Sequence, residues 1–238
     1  MKGALAVLGT DTGVGKTVVT AALAIALRRA GMRVSVMKPV ASGGTLRTGR
    51  IVSGDAIWLR RILGLADPLE DINPVCYRHA LAPAVAAALE GKRTDFAAVR
   101  RAFDRLRRGQ GILLVEGVGG VLVPLGAGMT PASLCVRLGI PAVVVGRAGL
   151  GGINHAWLTV EALRRRGVRV AGVILNGARG GLAERNNPAA IEKYARCRVL
   201  AILPRVPRIR SSRRALSRMA AAFPRRSLKM IARSGGWS

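Results

Sequence analysis

The chain has 238 residues, a net charge of +27 and 50% hydrophobic residues. That is long enough for one sizeable core, and no apolar run approaches the ~18 residues of a membrane span. Cys76, Cys135 and Cys197 lie far apart without metal spacing, which argues against a disulfide framework or cysteine-based metal site and fits a reducing, cytoplasmic compartment. So basic a chain ordinarily suggests an anionic partner, but arginines outnumber lysines 33 to 6, and three Phe, two Tyr and three Trp leave little for base stacking. Nucleic acid is therefore not the expected partner.

The first apolar run, residues 4–8, leads straight into Gly9-Thr10-Asp11-Thr12-Gly13-Val14-Gly15-Lys16-Thr17. No small-residue cleavage site follows it, so it reads as a first strand rather than a secretion leader. Strand, glycine-rich loop and a helix over 16–30 make a phosphate cradle, with backbone N–H groups aimed at an anion. Lys16 reaches the β- and γ-phosphates and the Thr17 hydroxyl ligates Mg²⁺. The usual pattern wants glycine where Thr10 stands; the glycine is one place earlier, at Gly9.

A second strand, 33–37, ends at Lys38-Pro39-Val40-Ala41-Ser42-Gly43-Gly44, which sets a cation beside the phosphate loop. A helix over 54–64 opens with Asp55, whose simplest role is a carboxylate stabilised at a helix N-terminus. Helices over 82–90 and 94–108 precede a strand over 111–115. Glu116-Gly117-Val118-Gly119-Gly120 comes next. A carboxylate at the end of a buried strand is costly unless it is paired or binds a cation. Thr17, Asp55 and Glu116 together offer Mg²⁺ hard oxygen ligands.

A helix over 130–138 and a strand over 140–145 lead to Gly149-Leu150-Gly151-Gly152-Ile153-Asn154-His155, at the start of a helix over 154–166. These glycines suit an anion. Asn154 alone reads as an N-cap, and His155 as a structural residue. A strand over 169–175 ends at Asn176, a helix spans 187–197, and a strand over 198–202 is followed by Pro204; Asn176 and Pro204 are candidates to line a base pocket. Gly31, Gly139 and Gly167 stand where helix C-terminal glycines belong. The alternation implies one α/β domain, 1–204: a doubly wound, mainly parallel sheet flanked by helices, with ligands at the strands' carboxyl ends. Residues 205–238 break the pattern. Ten Lys/Arg fall between Arg205 and Arg233, and no acid follows Glu192, which leaves the order of this segment open.

In chain order, the phosphate loop, Lys38-Pro39-Val40-Ala41-Ser42-Gly43, Asn73-Pro74, Val115 to Gly120, Leu125, Leu150 to His155 and Leu175-Asn176 resemble dethiobiotin synthetase, over roughly residues 1 to 204. The displaced glycine is normal in that family. The resemblance implies a P-loop enzyme that takes 7,8-diaminononanoate, CO₂ and MgATP and forms a cyclic urea through a carbamate and a carbamic-phosphoric anhydride. It implies catalysis by Lys16 and Lys38. It implies ATP contacts at Gly13, Val14, Gly15, Lys16, Thr17, Val18, Asp55, Glu116, Gly117, Val118, Gly119, Asn176, Gly177, Pro204 and Arg205, with Asn176 on adenine.

Substrate contacts are implied at Thr12, Ser42, Gly119, Gly151 and Asn154, the last two from a partner subunit of a homodimer. Three features depart from the family: Gly13 and Ser133 stand where acids are often found, and the end is not usually arginine-rich. The other readings are a partition-type or nucleic-acid-associated P-loop ATPase, an amidoligase of cobalamin synthesis, or an inactive nucleotide-binding remnant. Partition-type loops carry a second lysine where Asp11 stands. Such amidoligases usually have a glutamine-hydrolysing domain, for which 238 residues leave no room.

Overall fold

The computed structural model describes residues 2–47, 49–109, 111–207 and 209–236. In chain order the elements are β1 (Lys2–Gly9), α1 (Lys16–Arg29), β2 (Val34–Met37), β3 (Val40–Ala41), β4 (Thr45–Arg47), β5 (Arg50–Val52), α2 (Gly54–Leu63), α3 (Leu69–Ile72), β6 (Val75–Cys76) and α4 (Pro83–Leu89). They continue with α5 (Phe96–Arg107), β7 (Gly111–Gly120), α6 (Pro131–Leu138), β8 (Ala142–Arg147), α7 (Gly152–Arg165), β9 (Val170–Ala178), α8 (Leu182–Tyr194), β10 (Val199–Pro204), α9 (Arg213–Ala221) and α10 (Arg225–Ser234).

The six apolar strand segments assemble into one sheet in the order β10-β9-β8-β1-β7-β2, with every pairing parallel. Their continuous Val/Ile/Leu runs follow from burial on both faces. Leu5 and Val7 of β1 pack with α1, α2, α9 and α10; Ala4, Ala6 and Leu8 face α5, α6 and α7. The crossover from β1 to β2 runs one way along the sheet and that from β7 to β8 the other. A crevice opens above the carboxyl ends of the strands between such diverging crossovers.

Gly31, Gly139 and Gly167 follow α1, α6 and α7 at φ 85°, 67° and 77°, the left-handed geometry that stops a helix. Most helix starts shift by one or two residues from the sequence reading, α5 to Phe96 and α7 to Gly152 among them, and that of α8 by five. α8 begins at Leu182, before the expected 187, because the Glu184 carboxylate accepts from the N–H groups of Arg179, Gly180 and Gly181 and gathers the chain there. α7 begins at Gly152 with Gly151 as its N-cap, so Asn154 lies in the first turn and is not the cap.

The arginine-rich segment forms two amphipathic helices. Leu216, Met219, Ala220, Phe223, Leu228, Ile231 and Ala232 are buried in the α1-side core, while Arg213, Arg214, Arg218, Arg225, Arg226 and Arg233 face outward. Each large apolar side chain so buried contributes about 1.5–3 kcal/mol. Past α10 the Gly235 carbonyl accepts from Ala4 N–H of β1 at 2.9 Å. Of this segment, Arg208, Trp237 and Ser238 lie outside the described residues. Among the described residues no helix is long and apolar enough to cross a membrane.

Candidate active site

β1 delivers the chain into the phosphate loop, and the lysine at the start of α1 folds back over it. Lys16 Nζ donates to the carbonyls of Asp11 and Gly119, both at 2.8 Å. The displaced glycine has its physical cause here. A Cβ at Gly9 would sit 2.8 Å from Lys16 Nζ and 2.9 Å from the Asp11 carbonyl, so the lysine's path needs a bare α-carbon at position 9. Gly15, at φ 93°, turns the loop into α1, and a side chain there would collide with the Asn176 amide. Burial lowers the Lys16 pKa to about 8, against the opposing pull of Glu116.

β7 runs five residues past its expected end at Val115 and carries Glu116 in the interior at 0% exposure. Glu116 Oε1 accepts from Thr17 Oγ1 at 2.7 Å and from Lys38 Nζ at 2.6 Å. Lys38, just past β2, also lies 3.4 Å from Asp55 Oδ2. Burial alone would lower the Lys38 pKa; the Glu116 and Asp55 carboxylates outweigh it and hold it above the ordinary lysine value. Burial likewise pushes Asp55 upward, and Lys38 and Arg210 together bring it below the usual carboxylate range.

Asn73 fixes this arrangement from behind. Its amide donates to the carbonyls of Lys38 and Val75 at 2.8 and 3.0 Å, and its Oδ1 accepts from Ser53 N–H at 3.1 Å. Ser53 caps α2, its hydroxyl accepting from Asp55 N–H. One buried amide thus ties the residue bearing Lys38 to the helix start bearing Asp55.

Among the described residues, Glu116 Oε2 is buried with no hydrogen-bond partner. A bare carboxylate oxygen in the interior, with the Thr17 hydroxyl and Asp55 nearby, suits a hard cation. No group of three or more His, Cys, Asp or Glu converges among the described residues. Mg²⁺ takes one or two carboxylates and completes its shell with water and phosphate.

Thr12, Gly13, Gly15, Lys16, Thr17, Val18, Lys38, Ser42, Asp55, Glu116, Val118 and Gly119 line one cavity of about 630 Å³. Val14, Gly117, Asn176, Gly177, Pro204, Arg205, Gly151 and Asn154 are not in that lining. Several of these meet on the other side of the loop. Asn176 Nδ2 donates to the Val14 carbonyl at 2.9 Å, its Oδ1 is buried without a partner, and Arg205 N–H bonds to Ala178 at the ends of β9 and β10. Gly151 and Asn154 sit exposed at the N-terminus of α7, as does His155.

Three lining groups are not marked as such by the sequence, one of them Val123. The turn Ala80-Leu81-Ala82-Pro83 forms one wall, and Arg210 donates to Asp55 Oδ1 at 2.7 Å. Pro83 at a helix start signals the turn. Nothing marks Arg210 among 33 arginines.

The AAA domain family model matches residues 3–213. The ATP-dependent dethiobiotin synthetase BioD of Anaeromyxobacter dehalogenans (strain 2CP-C) is 45% identical over 92% of this chain and 97% of its own. The protein of the same name from Bacillus velezensis is 39% identical over 86% of this chain and 88% of its own. Among solved structures, the MinC:MinD cell division protein complex of Aquifex aeolicus covers 99% of this chain and 96% of its own at TM-score 0.58 and 15% identity, a likeness of fold alone.

Proposed function

The chain belongs to the ATP-dependent dethiobiotin synthetase family, and we propose that it closes 7,8-diaminononanoate and CO₂ into the cyclic urea dethiobiotin, a step of biotin synthesis, with Lys16, Thr17, Lys38, Asp55 and Glu116 as its chemical centre. It is a ligase that forms C–N bonds at the cost of ATP. The observation that carries the reading is Lys38, buried between two carboxylates at the mouth of a phosphate loop.

The reaction has three steps. One amine adds to CO₂ and loses a proton, giving a carbamate. A carbamate oxygen attacks the γ-phosphorus and ADP leaves. The second amine then attacks the carbonyl carbon, loses a proton and expels phosphate. Little covalent work falls to the protein; it orients the reactants and neutralises charge. Lys38 stays protonated, since its pKa is held above the lysine value. Its role is therefore to neutralise the carbamate and the developing charge, and not to act as a base.

Lys16 serves the β- and γ-phosphates, helped by the backbone N–H groups from Gly13 to Val18. Thr12 and Ser42 face the diamine end from the cavity wall. Thr17, Asp55 and Glu116 would hold Mg²⁺, which would supply further neutralisation of the phosphates. Asn176, with its buried, unpartnered Oδ1, is suited to accept from the exocyclic amine of adenine, with Gly177, Pro204 and Arg205 around it.

Gly119 holds the substrate from the cavity wall, and Gly151 and Asn154 hold its distal carboxylate. In this reading Gly151 and Asn154 act in a partner's site. The homodimer is supported by apolar side chains left in solvent on α7 and α8 and the loops before them: Leu150 at 96% exposure, Leu158 at 61% and Leu182 at 80%. The place of action is the cytoplasm.

Lys38→Ala tests the centre. Dethiobiotin formation is expected to vanish while nucleotide binding, measured by calorimetry, is largely kept. Turnover like that of the parent would remove Lys38 from the mechanism.

A further inference from the structure

Among the described residues of the C-terminal segment, Arg210 is the one that lines the phosphate-loop cavity. Its main chain is pinned and its side chain is aimed into the cavity. Trp58 Nε1 donates to the Arg210 carbonyl at 2.7 Å, and the guanidinium lies 5.0 Å from the centre of the Trp58 ring. Nη2 donates to Asp55 Oδ1 at 2.7 Å. Just downstream, α9 anchors the segment: Leu216 and Met219 are buried, and Arg29 Nη2 of α1 donates to Ser217 Oγ at 2.7 Å.

Resting on the reading of this cavity as the nucleotide site, we infer that Arg210 binds the nucleotide's polyphosphate. A guanidinium carries five donors in a planar fork, and Asp55 engages one amino group. The fork matches phosphate oxygens two at a time, in bonds about twice as strong as neutral ones. The side chain is half exposed. It can therefore change partners from carboxylate to phosphate while its carbonyl stays pinned by Trp58.

The charges agree with this. The lining cations Lys16, Lys38 and Arg210 outnumber the lining acids Asp55 and Glu116 by one, and a polyphosphate supplies the missing anion. The arginine-rich end of the chain thereby becomes a wall of the nucleotide site.

The test is calorimetric titration of the full chain, Arg210→Ala and Arg210→Lys with MgATP and with AMP. Arg210→Ala is expected to weaken MgATP about tenfold or more, the worth of a charge-assisted pair, and to leave AMP unchanged. Arg210→Lys recovers part of the loss, as a point charge without the fork. Unchanged MgATP affinity in Arg210→Ala overturns the inference. So does an equal loss for MgATP and AMP, the mark of a packing role, or a gain, the mark of competition with the metal for Asp55. Failure of the parent chain to bind MgATP would instead sink the nucleotide reading itself.

Discussion

Lys16 is the residue whose chemistry depends most on conditions. Unfolded, it holds its proton to about 10.5; folded, burial releases the proton near 8. Between these values the unfolded chain binds more protons, so this residue's contribution to stability rises with pH across that window, and its full penalty applies below it. Nucleotide phosphates reverse the shift by favouring the ammonium. Nucleotide affinity is therefore expected to fall as pH rises through about 8, with proton uptake on binding seen as a dependence of the calorimetric heat on buffer. Lys16→Arg keeps its charge and flattens the profile. A flat profile in the parent chain would contradict this account of Lys16. At this scale Lys38, just past β2, and Glu116, in the carboxyl half of β7, were legible, because a parallel sheet aims its strand ends at the ligand. The joining of Thr17 to Lys38 by Glu116, and of Lys38 to Asp55, was not, since it depends on distances between elements that sequence does not carry. Arg210 was hidden by an excess of its own kind.

At the scale of elements, the ties between β2, β6 and α2 decide whether the site is assembled. Asn73→Ala leaves the Lys38 and Val75 carbonyls and the Ser53 N–H without their buried partner. Each such loss costs about 1–3 kcal/mol, so urea denaturation should show a destabilisation of that order or somewhat more. Turnover should fall further than nucleotide affinity, because Lys38 and Asp55 lose their common anchor. Parent-like stability would show that the tie is dispensable. The six sheet strands were legible as continuous apolar runs bounded by glycines. α9 and α10 were passed over, although Leu216, Met219, Ala220 and Phe223 repeat at helical spacing; their charged face drew the eye from the apolar one. The short pairs β3–β6 and β4–β5 are two and three residues long, too short for a periodicity to be read.

For the whole molecule, the proposal to test is a homodimer whose copies complete each other's sites. Leu158 is 61% exposed on α7, beside Trp157 stacked on Tyr194 at 6.4 Å. Sedimentation should find a dimer. Leu158→Glu should shift it to monomer, with a raised KM for the diamine and unchanged nucleotide binding, because in the proposed dimer Gly151 and Asn154 serve the partner. A parent chain that is monomeric at an ordinary KM would contradict the shared site. The same fold serves cell-division proteins, as the MinC:MinD likeness shows, so architecture alone does not choose the reaction. The relatedness to dethiobiotin synthetases does. The central claim is that ATP is spent on closing a ring. Phosphate release measured with and without 7,8-diaminononanoate and bicarbonate tests it most directly. The account predicts release that requires both and matches dethiobiotin formed one for one; release indifferent to the diamine would contradict it.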